Sequence, residues 1–353
     1  MASTGPITIV GGGLAGLTLG IGLRQRGVPA TVWEAGEYPR HRVCGEFISG
    51  NGLEVLDRLG LRPLLDAAGA VSLASAAFVS GPNRSPVRQL PSTALGLSRY
   101  KLDAALAEEF QRLGGELHTG SRWNSAGVQA SAGSNGSEGT VRATGRQPQP
   151  TENGWRWFGL KGHATNMELS ADLEMHISAD NYIGVNRINN GEVNICGLFR
   201  QRTGQAPEAG FDLLHGKPDS PLGERLASAR FDKSSLCSVA GLSLKPRRAA
   251  DKTECCIGDS ITMIPPVTGN GMSMAFESAE LAIDPLARYS RGEINWAEAR
   301  EAIARACDAA FAERLAWAHR LQWLMFSPVL RTPIGKFLLS ADGIWNFLFA
   351  KTR

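Results

Sequence analysis

A short apolar run leads directly into a glycine turn at the start of this chain: Ile7-Thr8-Ile9-Val10, then Gly11-Gly12-Gly13-Leu14-Ala15-Gly16. The spacing G-x-G-x-x-G between a buried strand and a helix leaves few folds open. Gly11 permits the tight turn, Gly13 lets backbone N–H groups approach a pyrophosphate, and Gly16 lets helix and strand pack closely. Leu14, Leu17 and Ile21 recur at helical spacing, with Ala15 in the first turn and Gly27 closing the helix. Thr31 to Trp33 read as a second strand, and Glu34, followed by Ala35, stands at its end. An acid eighteen residues beyond Gly16 is placed to accept hydrogen bonds from adenosine ribose hydroxyls, and it disfavours a 2′-phosphate. The reading is a dinucleotide-binding βαβ unit. This turn alone does not decide between NAD and FAD.

A second glycine turn lies far downstream. Glu254 to Gly258 read as a strand ending at Asp259, and Pro265-Pro266-Val267-Thr268-Gly269-Asn270-Gly271 leads into a helix near Met272. Met272, Ala275, Phe276, Ala279 and Ala282 recur at helical spacing. An ionised Asp259 only accepts hydrogen bonds, which suits ribitol or ribose hydroxyls. Free N–H groups at the helix start would face an electron-rich group, such as the N1–C2=O edge of a flavin. Two such turns so far apart suit one long ligand held at both ends.

The residues around this second turn, Gly258-Asp259, Pro266, Gly269-Asn270-Gly271-Met272, then Ser278-Ala279 and Leu281-Ala282, resemble a segment of the FAD-dependent monooxygenases of the para-hydroxybenzoate hydroxylase type. Geranylgeranyl reductases and flavin-dependent halogenases share that fold. The resemblance implies that this segment holds ribitol and the flavin ring, while the N-terminal turn holds the AMP half. Ser98-Arg99, opening a helix with Leu102, Leu106, Phe110 and Leu113 on its apolar face, resembles the family's cofactor-contacting arginine helix. Ala143-Thr144-Gly145 resembles the turn that lies against the adenosine end. Together the matches spread over residues 7 to 282. The resemblance further implies that Pro39 to Gly50 runs towards the flavin ring. Cys44-Gly45 there looks like the reductase branch, in which a cysteine lies near the flavin. Arg40, His41 and Arg42 beside it are placed either to lower the Cys44 pKa or to bind the FAD phosphates.

Between these segments the period changes. Leu169, Ala171, Leu173, Met175 and Ile177 alternate with polar residues, as expected of a half-buried antiparallel strand with one polar face. Asn189-Asn190-Gly191 reads as a hairpin turn between two further strands. Lys161 and His163 share a strand face, and the reading favoured for them is an exposed edge. Trp155-Arg156-Trp157 resembles the opening of a halogenase W-x-W-x-I-P motif but continues Phe158-Gly159-Leu160, which sets halogenation aside. Residues 127–139, rich in Ser and Gly, read as a surface loop. After Ala282 the chain reads as helical, with Trp296, Ala299, Ile303 and Ala306 on one face. Phe337, Leu338, Ile344, Trp345, Phe347, Leu348 and Phe349 make the C-terminus apolar. Docking on the body is the favoured reading of that end, with contact to a membrane surface as the alternative.

Composition narrows the function classes. The net charge of +3 is too small and too scattered for nucleic acid. Six cysteines without a C-x-x-C pair or regular framework read as reduced thiols of a cytoplasmic protein, without a metal site. Residues 1–23 carry no charge, so they lack the basic region of a signal peptide. The expected fold is α/β, α+β overall. A Rossmann-like FAD-binding domain of the second glutathione-reductase type would comprise 1–75, 96–150 and 237–290. An inserted antiparallel β-sheet substrate domain would comprise 76–95 and 151–236, with C-terminal helices over 291–353. The expected function is an NAD(P)H-dependent monooxygenase with non-covalent FAD, acting on an aromatic or polyketide-like small molecule. A geranylgeranyl-reductase-like C=C reductase is the alternative, with Cys44 as its catalytic residue. A halogenase and a non-catalytic FAD-binding protein rank lower.

Overall fold

The computed structural model describes residues 5–124, 138–149, 151–204, 210–327 and 342–352. Among these, the strands form two sheets. The first is entirely parallel and contains β1 (Ile7–Val10), β2 (Ala30–Trp33), β7 (Glu116–His118), β8 (Thr140–Arg142) and β14 (Cys255–Cys256). Its order is β14-β8-β1-β2-β7, with Ile7 opposite Ala30 and Thr8 opposite Thr140. The first helix, α1 (Leu14–Gln25), follows β1 through the glycine turn, so the opening βαβ unit is Rossmann-like as expected.

Helix α1 is buried on every side from Leu14 to Leu23, not only on a stripe. It lies against α4 (Arg99–Arg112) and α6 (Gly271–Ser290). Two of its glycines allow this approach: a Cβ on Gly20 would meet the Phe110 ring at 2.7 Å. One on Gly22 would meet the Ile283 side chain. This packing belongs to the main apolar core, which runs from Ile7 and Ile9 through Phe110 to Phe276 and Ile303. It carries the two glycine turns, far apart in sequence, on adjoining helices.

The second sheet is larger and mixed. It contains β3 (Phe47–Ile48), β4 (Val71–Ser80), β5 (Asn83–Arg84), β6 (Arg88–Gly96) and β9 (Trp155–Thr165). It is completed by β10 (Leu173–Ile177), β11 (Asn181–Arg187), β12 (Val193–Arg202) and β13 (Arg230–Ala240). The order is β13-β9-β12-β11-β10-β4-β6-β3, with β5 paired to β4. Helices α2 (Asn51–Arg58) and α3 (Arg62–Ala67) link β3 to β4. Helix α5 (Pro221–Leu226) covers one face of the sheet through Leu222 and Leu226. The predicted turn at 189–191 forms a single 3-10 turn between the antiparallel β11 and β12.

Three expectations change here. The alternation over 169–177 yields strand only at Leu173–Ile177, and that strand runs parallel to β4 while antiparallel to β11. Its polar face is not solvated: Glu174 and His176 are buried, and Glu174 pairs with Arg225 of α5 at 3.2 Å. Lys161 and His163 sit on β9, an interior strand between β12 and β13, and both are buried. In the long helix α7 (Trp296–Phe326), the deeply buried face is Ala299, Ile303, Cys307 and Phe311, and Ala306 lies beside it, half-buried.

The C-terminal helix α8 (Asp342–Lys351) docks on the body, as expected. Phe349 is buried, and Asn270 donates to the Thr352 carbonyl at 2.7 Å. Phe337, Leu338 and the serine-rich 127–137 lie outside the described residues, as do the side chains of Ile344, Trp345 and Leu348. No described helix is long and apolar enough to cross a membrane.

Candidate active site

Both glycine turns open onto one cavity of about 1020 Å³, which the larger sheet walls on the far side. That volume is at the top of the roughly 300–1,000 Å³ usual for ligand and cofactor sites. At one end stand Gly11, Gly13, Leu14, Ala15, Glu34 and Ala35. Ala143, Thr144 and Gly145 lie beside them, and Arg42, Cys44, Gly45 and Arg99 follow along the wall. Asp259, Pro266, Gly269, Gly271 and Met272 contribute from the second turn. Gly16, Gly258 and Asn270 do not line the cavity. Gly16 packs on the Gly11 carbonyl, leaving no space for a Cβ. Gly258, at φ +60°, donates its N–H to Ser278 and lies against Ala15. Asn270 is spent on Thr352.

The first turn fits a phosphate. Gly11 is at φ +111°, and a Cβ there would collide with the Ala143 carbonyl. A Cβ on Gly13 would meet nothing within 4 Å. The glycine at 13 is therefore required by no protein neighbour, and space is left where a ligand would approach the start of α1. Arg146, which the motif reading passed over, also lines the cavity, and its Nη1 is buried with no partner among the described residues. A guanidinium in the cavity wall with a nitrogen that no protein group satisfies suits an anionic group such as a pyrophosphate.

From Glu34 a continuous polar spine runs along the cavity. The Glu34 carboxylate accepts from the Gly12 and Gly36 N–H groups, each at 2.9 Å, and pairs with Arg40 at 2.6 Å and Arg42 at 3.3 Å. Burial pushes its carboxyl up, but the Gly36 N–H, the two arginines and the Gly12 N–H outweigh this and hold it below its usual range. Arg42 also donates to Asp103 at 3.1 Å, and Asp103 receives Arg99 in bidentate fashion at 2.6 and 2.8 Å. Arg99 is held in this ladder, with its side chain 12% exposed. Asp259, close to Arg99 and Arg146, is pushed up to about 6 by burial despite those cations. A group of hydroxyl donors would favour its ionised form.

The spine ends in a cluster that residue patterns did not reveal. Glu46, in the left-handed region at φ +52°, has a fully buried carboxylate. It accepts from the Arg99 N–H at 2.8 Å and from Nε2 of His163 at 2.6 Å, and it pairs with Lys161 at 3.0 Å. Burial raises the Glu46 carboxyl, while His163, Lys161 and the Arg99 N–H more than reverse that. Lys161 also donates to Nδ1 of His41 at 3.2 Å, which assigns the His41 proton to Nε2. Burial first, then Lys161 and His163, push the His41 pKa down to about 4, so the ring is neutral at pH 7. Asn186 and Asn194 reach across from the larger sheet to the Glu46 and Cys44 carbonyls at 3.4 and 3.2 Å. The loop at 44–46 is thereby fastened to the sheet that faces it.

Cys44 lines the cavity, but the arginines do not activate it. Arg40 and Arg42 are committed to Glu34, and burial raises the Cys44 thiol in spite of Arg99. It stays a protonated thiol at neutral pH. The expectation that residues 40–42 lower its pKa is therefore not met. Trp155 is covered by the guanidinium groups of Arg200 and Arg202, and Trp157 packs edge-on against Phe326. Neither lines the cavity.

Residues 4–144 match the FAD binding domain family. No curated protein matches the sequence. Several solved structures share its fold. PqsL, a probable FAD-dependent monooxygenase from Pseudomonas aeruginosa, superposes with a TM-score of 0.70 at 15% identity, covering 94% of this chain and 100% of that one. The flavin-dependent brominase Bmp2 gives 0.69 at 16% identity, with 97% and 92% covered. A mutant of the halogenase PltM in complex with FAD gives 0.71 at 15% identity, with 92% and 78% covered. Residues 4–144 thus match an FAD binding domain, in a chain that shares the fold of these flavin-dependent monooxygenase and halogenase structures.

Proposed function

We propose that the chain is an NAD(P)H-dependent FAD monooxygenase acting on an aromatic or polyketide-like small molecule. The observation that carries this reading is the single cavity joining the phosphate-compatible turn at Gly13 to an apolar chamber under the larger sheet. In this reading the start of α1 and Arg146 hold the FAD pyrophosphate, Glu34 the adenosine ribose and Asp259 the ribitol. Pro266 to Met272 and the pinned loop at Cys44-Gly45-Glu46 position the flavin ring between the two turns and the chamber. Bound FAD supplies hydride acceptance and reaction with O₂. The protein orients the substrate, excludes water with apolar walls and keeps Cys44 protonated. Oxygen transfer to an electron-rich ring calls for no thiol nucleophile, and none is available here.

The rival reading, reduction of a C=C bond, draws on that same protonated thiol in the cavity wall as a proton donor to carbon. Oxidation of NADH and NADPH by the FAD-loaded protein, with and without O₂, separates the two. Substrate-stimulated, O₂-dependent consumption is expected, and Cys44→Ala should leave it within a few-fold of the parent. O₂-independent reduction of a polyene that is lost in Cys44→Ala would overturn the proposal in favour of the reductase.

A further inference from the structure

The far end of the cavity is chemically one-sided. The residues that the strands of the larger sheet contribute to its lining include none with a charge. Leu321, Leu324 and Met325 of α7 and Phe349 of α8 close it from the other side. Met175, Leu198, Leu242, Met325 and Phe326 form one apolar cluster here, and Tyr182 of β11 is embedded in it. Tyr182 is 4% exposed, and its hydroxyl meets no hydrogen-bond partner among the described residues. Leaving a buried hydroxyl unsatisfied costs roughly 1–3 kcal/mol. Packing alone does not account for it, because phenylalanine would fill the same space without that penalty. The other large polar side chain on this face of β11, Asn186, is already committed to the carbonyls of Glu46 and Arg187. Burial pushes the Tyr182 phenol well up, so it remains an O–H donor at any working pH.

We propose that Tyr182 is the polar anchor of this chamber, and that the molecule bound there is an uncharged, largely apolar compound that presents a carbonyl oxygen to its hydroxyl. A ring ketone or a quinone-type carbonyl fits. A carboxylate does not, since it would lose its hydration among apolar side chains with no cation from the sheet to pair with. The inference rests on the proposed function only for calling this end the substrate chamber; the binding chemistry stands on Tyr182 and its surroundings.

Three probes of one shape test it: acetylnaphthalene, ethylnaphthalene and naphthoate, all substituted at the same ring position. Calorimetric titration of the full chain, with and without FAD, should show the ketone binding more tightly than the hydrocarbon and the carboxylate. Tyr182→Phe should weaken the ketone about 2- to 13-fold, the net worth of one hydrogen bond, and leave the hydrocarbon unchanged. Because the variant deletes only an unpaired hydroxyl, its thermal midpoint should hold or rise. An unchanged ketone-to-hydrocarbon ratio in Tyr182→Phe overturns the proposal. So does naphthoate binding as tightly as the ketone, or no binding of the ketone. A chain that takes up no FAD, or that shows no O₂-dependent turnover, refutes the proposed function instead, because the probe titrations need neither.

Discussion

Replacing Lys161 by Met should destabilise the protein far more than the loss of one surface ion pair. The side chains of Lys161 and Glu46 are both 0% exposed, and their Nζ–Oε1 distance is 3.0 Å. Lys161→Met keeps most of the stem volume but strands the Glu46 carboxylate in the interior, with only His163 and the Arg99 N–H left to it. Breaking a buried pair by removing one partner costs about 3–5 kcal/mol. For comparison, Arg58 and Glu280 meet at 2.7 Å with side chains 53% and 27% exposed, and such a pair is worth roughly 0–1 kcal/mol. Folded proteins have only about 5–15 kcal/mol to lose, so the buried substitution removes a large fraction. Glu46→Gln in the Lys161→Met background removes the stranded charge and should restore part of the loss. Urea unfolding followed by tryptophan fluorescence gives all the values needed for the double-mutant cycle. A Lys161→Met loss below about 1 kcal/mol, or a double variant no more stable than the single, would refute the buried cluster.

Other expectations follow from the site. Gly13→Val should fold normally yet fail to retain FAD, since its Cβ meets no protein atom, whereas Gly11→Ala should lose stability against the Ala143 carbonyl; FAD uptake and thermal midpoints check both. Glu34→Ala should weaken FAD about ten- to more than a hundred-fold, by roughly 1.5–3 kcal/mol, with FMN binding unaffected because FMN lacks the adenosine half; equal losses for both flavins would place Glu34 elsewhere. His41 binds its proton less readily when folded, so the unfolded chain takes up more protons between about pH 6.5 and 4. Its contribution to stability is complete above pH 6.5 and lost as pH falls through about 4. His41→Gln should flatten that part of the stability–pH curve, and parallel curves for variant and parent would contradict the assignment.

The parts of the site that are local in sequence were legible in it. Gly11, Gly13 and Gly16 each have a distinct steric reason, and Glu34 follows at the distance a βαβ unit imposes. The second turn was legible because Gly269 and Gly271 flank a helix start, the same local geometry. The Glu46 cluster was not. His163 and Lys161 lie more than a hundred residues from Glu46, and alternation along β9 tells only which side chains share a face. Whether that face is wet depends on β12 and β13 pairing on either side, which is long-range information. The same limit explains β10: its period-two pattern was real, but α5 covers the face that carries Glu174 and His176. Tyr182 had no local signature at all, because an orphaned hydroxyl is defined by the residues around it.

The central claim is that one long flavin dinucleotide spans both glycine turns. Equilibrium binding of FAD to the purified chain, compared with FMN and ADP, tests it most directly. The account predicts one FAD per chain, with FAD bound more tightly than either fragment, a loss of FAD retention in Gly13→Val, and weaker binding of both FAD and FMN in Asp259→Ala. A chain that binds no FAD, or that binds FMN as tightly as FAD, would contradict it.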